Sequence, residues 1–196
     1  MSNSIKDKWE KRYQSSVTDT EDKYPSAVEV LRNNQHLLPE SGSALDLACG
    51  LGANAICLAE HGLTTSAWDI SASALEQLTN YSKKYNLHII TKERDVTPHP
   101  PVVNSFDVIV ISRFLDRNLI PHIKNAIKPK GLIFYQTFTK EKVNQSGPSN
   151  PDFLLDKNEL LNCFHDWQIL FYREEGITGN IKLGFRNQAM LVAEKP

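Results

Sequence analysis

The sequence predicts an α/β fold: one Rossmann-like, doubly wound sheet of seven strands, mostly parallel, with one antiparallel strand near the C-terminus. Three observations carry this expectation. From Ser43 onward, short apolar runs alternate with helical stretches, the rhythm that right-handed crossovers and a parallel sheet require. One strand runs into a glycine pair, Gly50 and Gly52, and straight on into a helix. The chain ends on two consecutive β-like segments with no helix between them, which read as a hairpin and place one strand antiparallel.

The elements follow in order. Ile5 to Gln14 carries Ile5, Trp9, Arg12 and Tyr13 at helical spacing, and Ser26 to Leu38, after Pro25, reads as a second helix with Val28, Leu31 and Leu38 buried. SALDLA (43–48) is a buried strand, followed by the glycine turn and a helix from Gly52 to His61, closed by Gly62. TTSAWDI (64–70) is the second strand, and Ser71 or Ser73 caps a helix bearing Leu75, Leu78, Tyr81 and Tyr85. HIITKER (88–94) and FDVIVIS (106–112) are the third and fourth strands. Pro121 begins a helix through Ile127, and Gly131 opens the fifth strand, GLIFYQTF. A polar loop, a short helix (157–165) and β-like segments at 167–174 and 183–193 close the chain.

The chain has 196 residues, of which 40% are hydrophobic, enough for one well-buried core or at most two very small ones. We read it as a single domain: an N-terminal helical cap (1–40), a core (43–139) and closing strands with their loop (140–196). The formal charge is −1, from 22 basic and 23 acidic residues, so no electrostatic footprint for nucleic acid is present. The apolar runs are too short to span a bilayer. The opening MSNSIKDKWEKRYQ lacks the apolar stretch of a signal peptide, so a cytoplasmic location is expected. Three cysteines, Cys49, Cys57 and Cys163, form no C-x-x-C pair, which argues against a disulfide scaffold or a zinc module, and no metal site is expected.

The most informative stretch is LDLACGLGANAICLAEHG (45–62). Glycines between a strand and a helix let the backbone approach a ligand, and the helix start supplies free N–H groups. Asp69 ends the second strand, at about the distance where an acidic group grips ribose hydroxyls. Gly50, Gly52 and Ala55 also satisfy the dinucleotide pattern G-x-G-x-x-A, so an NAD(P)-dependent oxidoreductase is one reading. Asp46 argues against it, because a carboxylate beside the turn repels a pyrophosphate yet suits a cationic amino group. The Y-x-x-x-K pair of single-domain dehydrogenases is also absent: four residues after Tyr81 comes Tyr85. The site reads better as one for a cation bearing a ribose and an adenine.

Asp46-Leu-Ala-Cys-Gly50-Leu-Gly52 resembles the first motif of class I S-adenosylmethionine-dependent methyltransferases. Trp68-Asp69-Ile70-Ser71 resembles their second motif, and Arg94-Asp95-Val96 their third. Phe106 to Ser112 and Lys128-Pro-Lys-Gly131 resemble the fourth strand and the turn before the fifth. Within that superfamily the chain resembles the tellurite-resistance, TehB-like group, through Trp9…Arg12-Tyr13 at the start and Phe153…Glu159-Leu160…Trp167…Tyr172 before Ile181-Lys-Leu at the end. Ala48 stands at the motif's first glycine position, and Lys130 replaces the usual glycine before Gly131. Arg113 to Arg117 differs from the tellurite-resistance signature, which bears on the acceptor and not on the cofactor.

The resemblance implies S-adenosylmethionine as cofactor and S-adenosylhomocysteine as product. It implies that Ala48, Gly50 and Gly52 line the methionine portion, and that Asp46 accepts from its amino group through water. Asp69 would take the ribose hydroxyls and Ile70 would pack on adenine. Asp95 would receive the adenine amino group, with Val96 donating a backbone N–H, and Ser112 would also belong to the cofactor site. Arg12 would hold the methionine carboxylate if the N-terminal helix closes over the site; otherwise it is a solvated arginine. The methyl acceptor is expected to be a small molecule, with a thiol or a tellurite- or selenite-like oxyanion as candidates, and neither nucleic acid nor membrane as partner. The protein is expected to act as a monomer or homodimer, and a non-catalytic cofactor-binding protein remains a third reading.

Acceptor-pocket walls should come from the N-terminal segment and from the loops after strands four and five. Tyr13, Tyr24, Arg113, Phe114, His122, Gln136, Phe138 and Phe153 are the candidates. Arg113 either draws an anionic acceptor or pairs with Asp116. His122 is either a base or a plain helix histidine. GPSNPDF (147–153) is either a lid or a connector.

Overall fold

The computed structural model of the chain describes residues 2–15 and 24–196. Seven strands form one sheet: β1 (Ser43–Leu47), β2 (Thr64–Asp69), β3 (Ile89–Glu93), β4 (Phe106–Ser112), β5 (Ile127–Phe138), β6 (Gln168–Arg173) and β7 (Gln188–Glu194), in the order β3-β2-β1-β4-β5-β7-β6. β7 alone runs antiparallel, against both β5 and β6. The reversal of strand order between β1 and β4 creates a crevice at the carboxyl ends of the strands, where ligands of such sheets bind.

Alternation along the strands sorts side chains to two faces. Leu45, Leu47, Ile109, Ile111, Ile133 and Tyr135 pack under α5 (Ile120–Ala126) and α6 (Glu159–Cys163). Ala44, Val108, Val110, Leu132 and Phe134 face α2 (Glu29–Asn33) and Leu58 of α3 (Ala53–Glu60). Ala67 lies under α3 and α4 (Ala72–Lys84). Of the two capping serines considered for α4, Ser71 is the cap: its hydroxyl accepts from the N–H of Ala74 at 3.3 Å. The N-terminal helix α1 spans Ser2–Gln14. None of the described helices is long and apolar enough to cross a membrane.

Three elements differ from the sequence expectation. The β-like segment expected over 183–193 is strand only from Gln188, as β7. The helix expected over 26–38 is reduced to α2 and a 3-10 turn at Gln35–Leu37, with Val28 extended. Tertiary bonds hold this segment: Val28 N–H donates to Asn54 Oδ1 and Val30 N–H to Gln136 Oε1, each at 2.9 Å. These are N–H groups that a helix start leaves unpaired. β5 begins at Ile127, ahead of Gly131. Between the pairs Phe106↔Ile127 and Val108↔Leu132 the register shifts, and Lys128 to Gly131 bulge out, with Lys130 left-handed at φ 64°. A Cβ on Gly131 would sit 2.8 Å from the backbone oxygen of Asp107 and 2.9 Å from that of Lys128. Gly131→Ala is therefore expected to lower stability by about 1–3 kcal/mol, read by urea unfolding.

Candidate active site

The turn from Ala48 to Gly52 lies at the carboxyl end of β1. Its backbone is left-handed at Ala48, Gly50 and Gly52 (φ 56°, 53° and 76°). The left-handed φ of Gly50 disfavours a side chain, and a Cβ there would also lie 2.5 Å from the Tyr13 hydroxyl and force that ring to shift. Tyr24 donates its hydroxyl to the carbonyl of Leu51, steadying the turn from outside, and its ring lies tilted by 40° against that of Tyr81 with centroids 4.1 Å apart.

Two carboxylates flank the turn. Asp69, 7% exposed at the end of β2, accepts from Gly50 N–H at 2.7 Å and from Ser71 N–H at 2.9 Å. Burial pushes its pKa up, and those backbone N–H bonds oppose the rise. Each carboxylate oxygen retains a lone pair for a further donor. Asp46, at 0% exposure, accepts from Asn54 Nδ2 at 3.1 Å and from Ala55 N–H at 3.0 Å. Burial pushes its pKa up to about 7 against those two bonds. Holding a titratable carboxylate at such a site is characteristic of functional positions.

Helix α1 lies over this end of the sheet. Glu10 accepts from the Ser71 hydroxyl at 2.7 Å and from Ser73 N–H at 3.3 Å, and Gln77 Nε2 donates to the Tyr13 carbonyl at 3.1 Å. Tyr13 is the α1 residue that meets the glycine turn; Arg12 is exposed, with its guanidinium 5.3 Å from the centroid of the Trp9 ring. Burial and then the Asp69 charge push the Tyr13 phenol up to about 12. At neutral pH it is thus an O–H donor and not a base.

Arg113 follows β4 in the left-handed region at φ 54°, with its N–H donated to the Gln136 carbonyl at 2.8 Å. Left-handed backbone at a residue other than glycine is a form of strain that clusters at functional sites. Arg113 is exposed and forms no ion pair with Asp116, whose oxygens accept from Asn118 N–H and the Thr97 hydroxyl. The pairing alternative from the sequence is thereby removed. The Tyr135 hydroxyl donates to the Phe114 carbonyl at 3.1 Å and holds the start of this loop.

A family model described as "Tellurite resistance protein TehB" matches residues 2–183. The chain belongs to the TehB family. Among TehB relatives, a "Probable S-adenosyl-L-methionine-dependent methyltransferase TehB" of Haemophilus influenzae is 29% identical over 136 residues, 66% of this chain and 47% of that protein. A "Ubiquinone biosynthesis O-methyltransferase" of Coxiella burnetii is 28% identical over 111 residues, covering 54% of this chain and 47% of that one. The chain thus spans about half the length of the curated relatives it matches. The crystal structure of TehB from Haemophilus influenzae superposes with a TM-score of 0.68 at 24% identity, over 96% of this chain and 67% of that chain.

The remaining sequence candidates are placed as follows. Asp95 accepts from Thr97 N–H at 3.3 Å, with Val96 buried beside it and Ile70 half-buried. Ser112 accepts from Asn54 Nδ2 at 3.1 Å. His122 lies on the exposed side of α5, whereas Ile120, Ile123 and Ala126 face the core. Tyr24 serves the glycine turn, and Gln136 anchors Val30. Phe153 is 47% exposed, and Phe138 packs against Gly147. The loop after β5 is held by Asn187, which accepts from Val143 N–H at 2.7 Å and donates to Asn144 and Ser146, each at 2.9 Å. Asn54 and Glu10 escaped the sequence reading. For Asn54 the available signal was a polar side chain among the buried Ala55, Ile56 and Leu58 of α3.

Proposed function

We propose that this chain is an S-adenosylmethionine-dependent methyltransferase acting on a small molecule. The observation that carries the reading is the buried Asp46 carboxylate beside the glycine turn, with Asp69 bonded to Gly50 N–H at 2.7 Å on its other side. An anionic pyrophosphate is disfavoured next to Asp46, whereas a cationic amino acid portion is favoured. The family membership and the names of its relatives support the same reading.

The bound cofactor supplies an activated methyl group on a sulfonium. Held by the glycine turn, Asp46 and Asp69, it would pass that methyl group to the acceptor's lone pair and leave as S-adenosylhomocysteine, its sulfur keeping the electrons of the broken carbon–sulfur bond. The protein's work is then alignment and exclusion of water, which in favourable cases supplies about 7–11 kcal/mol. Gly50 and Gly52 let the backbone approach the methionine portion, Asp46 favours its amino group, and Asp69 takes the ribose hydroxyls. A soft anion, such as a thiolate or a metalloid oxyanion, needs no base, and Arg113, exposed after β4, supplies the local positive charge to draw it.

A thermal-shift panel tests the cofactor. Stabilisation by S-adenosylhomocysteine and not by NAD(P)H is expected; the reverse result would establish an oxidoreductase. Turnover is then sought with thiols, selenite, tellurite and amines. Cofactor binding without turnover on any of them favours a non-catalytic protein.

A further inference from the structure

Asn54 is a buried amide on a helix whose other buried side chains are apolar. It is 3% exposed and bonds to β1, to β4 and to the extended segment ahead of α2. Its Nδ2 donates to Asp46 Oδ1 at the end of β1 and to Ser112 Oγ at the end of β4, each at 3.1 Å. Its Oδ1 accepts from Val28 N–H, ahead of α2, at 2.9 Å. It stands two residues after Gly52, whose φ of 76° turns the chain into α3.

We infer that Asn54 is a positioning residue for cofactor binding: it holds the Asp46 carboxylate beside the glycine turn and ties that turn to the end of β4, where Arg113 emerges. This inference rests on the cofactor reading above. Among the described residues, Asp46 accepts from Asn54 Nδ2 and Ala55 N–H alone. Beyond burial, the Asp69 charge of β2 raises its pKa further, and the neighbouring Cys49 thiol is itself pushed up by burial and by Asp46; neither group is cationic. Without the Asn54 donor, the carboxylate keeps one N–H partner and takes up a proton more readily. The Ser112 hydroxyl loses its link to the turn at the same time. A residue that merely filled space would alter stability and leave the pH response of binding unmoved.

The test is Asn54→Leu in the full chain. This variant is close in volume but offers no donor to Asp46 or Ser112, and it places no second carboxylate beside Asp46. S-adenosylhomocysteine is titrated calorimetrically from pH 6 to pH 9 into both proteins. Wild-type affinity is expected to fall as the pH drops through about 7. In Asn54→Leu the midpoint of that fall is expected to rise by about one pH unit, with binding near neutral pH about tenfold weaker. If Asn54→Leu does not fold, Asn54→Ala, which also removes the donor without adding charge, is expected to shift the midpoint upward. A folded variant with the wild-type midpoint, or a wild-type profile that is flat across the range, overturns the role of Asn54. Wild-type protein that binds no S-adenosylhomocysteine at any pH overturns the cofactor reading itself.

Discussion

Asp69→Ala is expected to weaken S-adenosylhomocysteine binding by at least about a hundredfold. Two losses combine. The first is the ribose acceptor: hydrogen bonds to a charged group contribute about 1.5–3 kcal/mol each, and about 1.4 kcal/mol is tenfold in affinity. The second is local. Gly50 N–H and Ser71 N–H both donate to this carboxylate, and a buried donor left unpaired costs about 1–3 kcal/mol. The turn that should approach the methionine portion therefore loosens together with the ribose contact. Asp69→Asn, which keeps one acceptor oxygen, should fall between the two. Calorimetry on variants with wild-type circular dichroism is the measurement, and undiminished affinity in Asp69→Ala would remove Asp69 from the cofactor site.

Asp46→Asn should separate stability from binding. The folded-state pKa of Asp46 is pushed up to about 7 by burial, whereas an unfolded aspartate titrates near 3.9. Between these values the folded protein binds more protons than the unfolded one, so this group's contribution makes stability fall as pH rises. The penalty is absent below about pH 4 and complete above about pH 7. Asp46→Asn lacks it and, after allowing for one poorer hydrogen bond, should be about 2 kcal/mol more stable than wild type at pH 8. The advantage should vanish between about pH 5 and 6 and reverse at about pH 4, where only the poorer hydrogen bond remains. S-adenosylhomocysteine affinity should move the other way, at least about tenfold weaker at pH 8. Urea melts at the two pH values and one calorimetric titration decide it. Parallel stability profiles for the two proteins would mean that Asp46 is not the buried charge this geometry implies.

Much of the sheet was legible because its signals are local. Val108, Ile109, Val110 and Ile111 form an unbroken apolar run because β4 is buried on both faces. The turn was legible because Gly50 and Gly52 adopt left-handed backbone that side chains resist. Segment 26–38 was misjudged because its helical spacing is real, yet Val28 and Val30 spend their N–H groups on Asn54 and Gln136, far away in sequence. The early start of β5 escaped notice for a related reason. Lys128 to Gly131 read as a turn, and only the pairing of Ile127 with Phe106 makes that turn a bulge within a strand.

The sequence by itself determined the seven-stranded architecture, the glycine turn and the two carboxylates beside it. Periodicity, glycine placement and strand ends are properties of short stretches of chain. Only the tertiary structure decided which groups those carboxylates hold: Asp69 on Gly50 and Ser71, and Asp46 on Asn54 and Ala55. It also decided that Tyr13 meets the turn from α1 and that Arg113 stands free of Asp116. The physical reason is range. A buried polar group must find a partner wherever the fold brings one, and that partner can lie on any element that packing places within about 3 Å.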